Sequence, residues 1–289
     1  MSGDSVQSIT FLSLKFTHST RRCFRDLTLE ATMQKLVKSC FCLMALILLG
    51  LGTRLKAQEV AKDKRPIYTY IAEWAVPRPM WADMEKVDEK DKPLLDKLVA
   101  DGTLLGYGAF TNLIHQEGNP THGSWFTASS EGNLLKALEA IYAQPGSIVT
   151  PVQSASKHWD SIMVSRIYGG HAGSQVGGYL SGDQWDVKPG EMHEYTELVK
   201  STLAPVCDKL LADGVLTAYG LETEDYHQGK LGRVTFYMAT KDASGVDKAS
   251  KAFDEAFEKN PALGAAFRSL VERDGHHDFL DRVRFMSVK

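Results

Sequence analysis

Apolar and polar positions alternate with period two over Pro66–Trp74 (PIYTYIAEW), a stretch rich in Ile, Tyr and Thr that predicts a strand. The break Val76-Pro77-Arg78-Pro79 follows. From Met80 the apolar spacing lengthens, with Met84, Val87, Leu94/Leu95 and Leu98 near the 3.6-residue period of a helix. Pro93 falls inside this helix, where a missing N–H and a clash with the preceding turn predict a kink or a restart. Asp101-Gly102 closes it, glycine suiting the left-handed position after the last turn. Thr103–Ile114 reads as a second strand, His115–Gly123 as a loop, Ser124–Ala128 as a third strand, Gly132–Ala143 as an amphipathic helix, and Ser161–Tyr168 as a fourth strand.

The same order recurs after a glycine-rich stretch, residues 169–178 (GGHAGSQVGG), which reads as a flexible connector. Tyr179–Trp185, a helix through Met192, Val199, Val206 and Leu210, and the strands Val215–Thr223 and Val234–Ala239 follow in turn. A helical stretch over Val246–Arg273 and a last strand, Phe279–Val288, complete the second copy. The repeat is visible in the residues themselves. Leu95–Gly108 (LDKLVADGTLLGYG) matches Cys207–Gly220 (CDKLLADGVLTAYG) at nine of fourteen positions, 112 residues apart, and Pro205 repeats Pro93 at the same spacing. Two copies of so long a unit predict a duplicated domain, not a solenoid. Each copy runs β-α-β-β-α-β, the ferredoxin-like order. The expected fold is therefore α+β: two tandem ferredoxin-like halves, residues 66–170 and 178–289, packed sheet to sheet as an intramolecular pseudo-dimer.

Charge divides the chain. Residues 1–57 carry eight Lys/Arg against three acids, and the remainder 25 against 33. An acidic body without a basic stripe excludes nucleic acid as a partner. Met33–Ala57 has the form of a secretory signal peptide: Lys35 and Lys38, then the apolar run Cys40–Leu51, then Ala57. The expectation is export to the periplasm or the extracellular space, with no stable membrane anchor once the segment is removed. Residues 1–32 precede this signal, so Met33 is expected to be the true initiator and residues 1–32 a mis-assigned extension. After residue 57 only Cys207 remains of four cysteines, which excludes an internal disulfide and makes it a small buried hydrophobe.

Polar and aromatic residues shared by both copies are the candidates for chemistry: Trp74 with Trp185, Tyr107 with Tyr219, His115 with His227, and Arg166 with Arg284. The histidines, as candidate catalytic residues, are able to serve as a base near neutral pH from loops that follow strand two. The aromatics and arginines are candidate ligand-binding residues, the former at a cavity between sheet and helices, the latter as partners of Glu73 or of a ligand carboxylate; core packing and structural ion pairing are the plainer accounts. His158-Trp-Asp160 and His276-His-Asp278 read as turn residues before strand four, or as carboxylates that orient an imidazole. No metal-ligand spacing or nucleotide fingerprint is present, so neither a cofactor nor a metal is expected.

Element order, the Trp74-Ala-Val-Pro77 turn and the repeat resemble, over residues 66–289, the dimeric α/β-barrel superfamily with its antibiotic-biosynthesis-type monooxygenases, EthD-like proteins and NIPSNAP group. The resemblance implies a small, partly apolar ligand held between sheet and helices. It implies as an alternative a cofactor-independent monooxygenase with a loop histidine as base, and as a third haem binding, which needs an axial histidine facing a large cavity. A structural or interaction protein without a ligand stays open beside them. An enclosed cavity lined by Tyr, Trp and His separates the binder and the enzyme from the structural protein. A single functional site is expected where the copies differ, as at His122 and over Pro261–Arg273.

Overall fold

The computed structural model describes residues 64–144, 149–227 and 231–289. The signal-like segment Met33–Ala57, the residues before it, and Gln228 lie outside the described residues. Residues 67–170 form β1 (Ile67–Ala75), α1 (Trp81–Ala100), β2 (Gly106–Asn112), β3 (His122–Ala128), α2 (Glu131–Tyr142), the short α3 (Pro151–Ala155) and β4 (Lys157–Gly170). After β5 (Gly173–Val176) come β6 (Tyr179–Asp186), α4 (Met192–Ala212), β7 (Leu216–Glu224), β8 (Arg233–Thr240), α5 (Ala243–Lys259), α6 (Ala262–Leu270) and β9 (His277–Val288).

The strands pair antiparallel in the order β2-β3-β1-β4-β7-β8-β6-β9, and β2 pairs with β9 to close an eight-stranded barrel. Within residues 67–170 the order is β2-β3-β1-β4, and within residues 179–288 it is β7-β8-β6-β9. The halves meet edge to edge, through β4–β7 and β2–β9, where the sequence suggested two sheets packed face to face. Closure is favoured because each half would otherwise leave two outer strands with unpaired N–H and C=O groups. It also leaves space along the barrel axis.

Alternation along each strand sorts side chains to two environments. On β1, Tyr68, Tyr70 and Trp74 pack outward under the helices, while Ile67, Thr69, Ile71 and Glu73 face the barrel interior. The outward faces are covered by α1 and α2 in one half and by α4, α5 and α6 in the other, which makes two separate helix-to-sheet cores. Burying such aromatic and branched side chains contributes about 1.5–3 kcal/mol each. Cys207 is buried in the α4 core, and burial pushes its thiol up to about 12, as suits an inert hydrophobe.

Several local expectations are corrected. Both long helices run unbroken through Pro93 and Pro205. Pro93 and Glu89, like Pro205 and Ser201, are exposed, so water can satisfy the carbonyl each proline leaves without a donor. Gly102 and Gly214 follow the last helical residues at φ +84° and +71°, a left-handed conformation that favours glycine. The connector over residues 169–178 is not free chain: β5 pairs with β9 through Gly173↔Val288 to Val176↔Phe285, beside β9 residues that β6 does not reach. His158, Asp160, His277 and Asp278 are strand residues and not turn residues, because Trp74 pairs with His158 and extends the β1–β4 ladder to Lys157.

Candidate functional site inside the barrel

The barrel interior holds an open-mouthed cavity of about 990 Å³. Its aromatic walls come from a feature present in both halves. Gly108 pairs across the sheet with Trp125, and Gly220 with Tyr237. A Cβ on either glycine would lie 2.8 Å from the facing ring, so each glycine makes room for an aromatic side chain laid across it within the barrel. Both Trp125 and Tyr237 line the cavity.

Acidic side chains share this interior. Glu222 on β7 is 5 % exposed, and burial pushes its carboxyl up to about 7 against the effect of a hydrogen bond from Thr69. Asp281 on β9 is 2 % exposed, and burial, reinforced by the nearby charge of Glu73, pushes it up to about 8. Its Oδ1 has no hydrogen-bond partner among the described residues. Glu73 is also raised by burial, with Arg233 pulling it partly back. Arg233 on β8 lies 3.5 Å from Glu224 and 3.9 Å from Asp186. Buried carboxyls that change protonation near neutral pH beside aromatic side chains are suited to proton transfer and to holding a polar ligand.

The residues singled out by the repeat lie elsewhere. Trp74 and Trp185 point outward and stack on His158 and His276, with ring centroids 3.6 and 3.9 Å apart. The Nε2 atoms of those histidines lie 2.8 Å from Asp160 and Asp278, so each carboxylate orients an imidazole, and His158 and Asp160 also reach the cavity lining. Tyr107 donates to Asp96 at 2.6 Å and Tyr219 donates to Asp208, so both hydroxyls are engaged within the helix-to-sheet cores and neither lines the cavity. Arg166 is exposed beside a β4 bulge. Arg284 meets Asp88 of α1 at 2.6 Å and not Glu73. Burial and three nearby acids push Asp88 up to about 7 against the pull of Arg284. His115 and His227 are exposed and neither lines the cavity.

His122 is the first residue of β3 and not a loop residue. It is 1 % exposed, 3.0 Å from the Thr121 hydroxyl through Nδ1 and edge-on to Trp81. Burial, and then the charge of Arg284, pushes its imidazole down to about 4, so it is neutral at physiological pH. Asp183, His276 and Asp278 bring possible metal-ligand atoms within 4.8 Å of one another on the exposed face of β6 and β9, although no sequence spacing marks them. Asp183 is pushed up to about 6 by burial and by Asp278. No helix among the described residues is long and apolar enough to cross a membrane.

The interior acids escaped a search for residues common to both copies because they are not common. By the repeat spacing, Phe110 stands where the second copy has Glu222, Met163 where it has Asp281, and Gln184 where the first has Glu73. The readable signal was an acidic residue at an inward position of a largely apolar strand.

No protein-family model matches this sequence, and no curated protein matches it either. Solved structures do. A candidate monooxygenase from Lactobacillus acidophilus NCFM superposes with a TM-score of 0.53 at 11% identity, over 78% of this chain and 97% of that one. A second candidate monooxygenase, from Fusobacterium nucleatum subsp. nucleatum, gives 0.52 at 14% identity, over 78% of this chain and 94% of that one. At such identities the likeness is one of architecture, and on it the chain has the dimeric α+β-barrel fold.

Proposed function

We propose that this protein holds a small, partly apolar molecule inside the barrel and acts on it as a cofactor-independent, monooxygenase-like enzyme. Glu222, and not His115 or His227, is then the proton-transfer group. The observation that carries the reading is Glu222 itself: a carboxyl nearly sealed from solvent, on the wall of an aromatic cavity, ionising near pH 7. In the ionised form it takes a proton from an acidic C–H of the bound molecule. The carbanion passes its electrons to O2, and the net change is CH2 + O2 giving C=O + H2O. Trp125 and Tyr237 hold the flat part of the substrate. The barrel fold shared with two candidate monooxygenases supports the reaction class.

Two further parts of the reading rest on the sequence. The halves arose by duplication, which the fourteen-residue match and the repeated strand order support. The chain is exported on the segment Met33–Ala57. The test of the activity is oxygen uptake with a panel of enolisable aryl ketones. Glu222→Gln is expected to lose about 10²–10⁴-fold in rate, while a His115→Ala, His227→Ala double variant retains wild-type turnover. The reverse pattern would return the base to the loops.

A further inference from the structure

The barrel interior holds more acid than its own base can balance. Glu73 on β1, Glu222 and Glu224 on β7 and Asp281 on β9 all line it. Arg233 is shared by Glu224 and Asp186. Lys289, also at the lining, donates its ammonium to the Val99 carbonyl. Glu222 and Asp281 are thus left without a cationic contact among the described residues, and Asp281 Oδ1 has no partner there at all. Buried carboxyls without a counter-charge stay protonated or wait for a cation. The aromatic faces beside them suit a cation as well as a ring.

We infer that the ligand carries an ammonium beside an aromatic ring: the ammonium sits between Asp281 and Glu73 and the ring lies against Trp125 and Tyr237, which leaves Glu222 as the base. This rests on the barrel interior being the ligand site and adds the chemical class. An ammonium offers three donors, enough for the open Asp281 oxygen and a second carboxylate. The other titratable groups at the lining are His158, Asp160 and Tyr168 from β4, Glu224 from β7, Arg233 (which also reaches Asp186 of β6) and Tyr237 from β8, His277 from β9, and Lys289. Burial, reinforced by the charge of Glu73, holds Asp281 protonated below about pH 8. The ammonium binds its ionised form, so affinity rises with pH and binding releases a proton, up to the amine's own deprotonation near about pH 10.

The test is displacement of the neutral fluorophore N-phenyl-1-naphthylamine from the full chain by tryptamine and by its neutral analogue tryptophol. At about pH 8.5, tryptamine is expected to displace it at concentrations at least about tenfold lower than tryptophol, and the advantage shrinks by about pH 6. Asp281→Asn combined with Glu73→Gln removes the advantage; should that variant not fold, the pH comparison on the natural chain decides alone. Equal displacement by amine and alcohol at both pH values overturns the cationic class while leaving the cavity intact as a ligand site. So does an amine advantage that survives in the double variant or that grows on acidification. Failure of the fluorophore to bind overturns the cavity reading, and the inference with it.

Discussion

At the scale of single residues, Glu222 and Asp281 make the molecule's stability depend on pH in a direction opposite to that of most acids. Each has a folded-state pKa raised above its unfolded value of about 4. The folded state therefore binds more protons. Stability is fully present below about pH 4 for these groups and falls as pH rises through about 7 and about 8, by up to about 3 kcal/mol for Glu222. Glu222→Gln removes that loss: its melting temperature is expected to exceed the natural chain's at pH 8 and to match it at pH 4. Thermal unfolding across that range checks this, and a lower melting temperature at both values would show that the carboxylate is stabilised by contacts other than those seen. Arg284 behaves differently. Its pairing with Asp88, each side chain about 13% exposed, is structural. Arg284→Met is expected to cost about 3–5 kcal/mol in urea unfolding by stranding Asp88, while leaving fluorophore binding by the folded fraction unchanged.

At the scale of elements, the barrel cavity depends on two strand glycines. Gly220→Ala places a methyl 2.8 Å from the Tyr237 ring, and Gly108→Ala does the same to Trp125. Each is expected to destabilise by about 1–3 kcal/mol. Tyr237→Leu added to Gly220→Ala should recover much of that loss, a non-additivity readable in a double-mutant cycle. These positions also show where sequence reading succeeded and where it stopped. The strand and helix order, the closing glycines and the shared Tyr107/Tyr219 were legible, because periodicity and turn chemistry are local. The facing of a strand is not local. Trp74 and Tyr107 reach the helices, whereas Glu73, one position from Trp74, reaches the interior, and only closure of the sheet decides which face becomes a cavity. The same closure moved Arg284 away from Glu73 and onto α1. Chemistry placed by resemblance between the copies was drawn to the outer faces, where both copies solve the same packing problem. The interior acids mark where the copies diverge.

At the scale of the whole molecule, the two halves complete one another. Residues 66–170 alone would expose the edges of β2 and β4, which β9 and β7 cover in the full chain. Expressed alone, that half is expected to form dimers or larger species, and a stable monomer by sedimentation would contradict the role given to these seams. The central claim is that the ligand occupies the barrel interior and not the space between sheet and helices. Crystals soaked with 5-bromotryptamine test it most directly. The account predicts one anomalous bromine peak inside the barrel, near Trp125 and Tyr237, with the ammonium at Asp281 and Glu73. A peak beneath the helices, beside Trp74 or Tyr107, would contradict it.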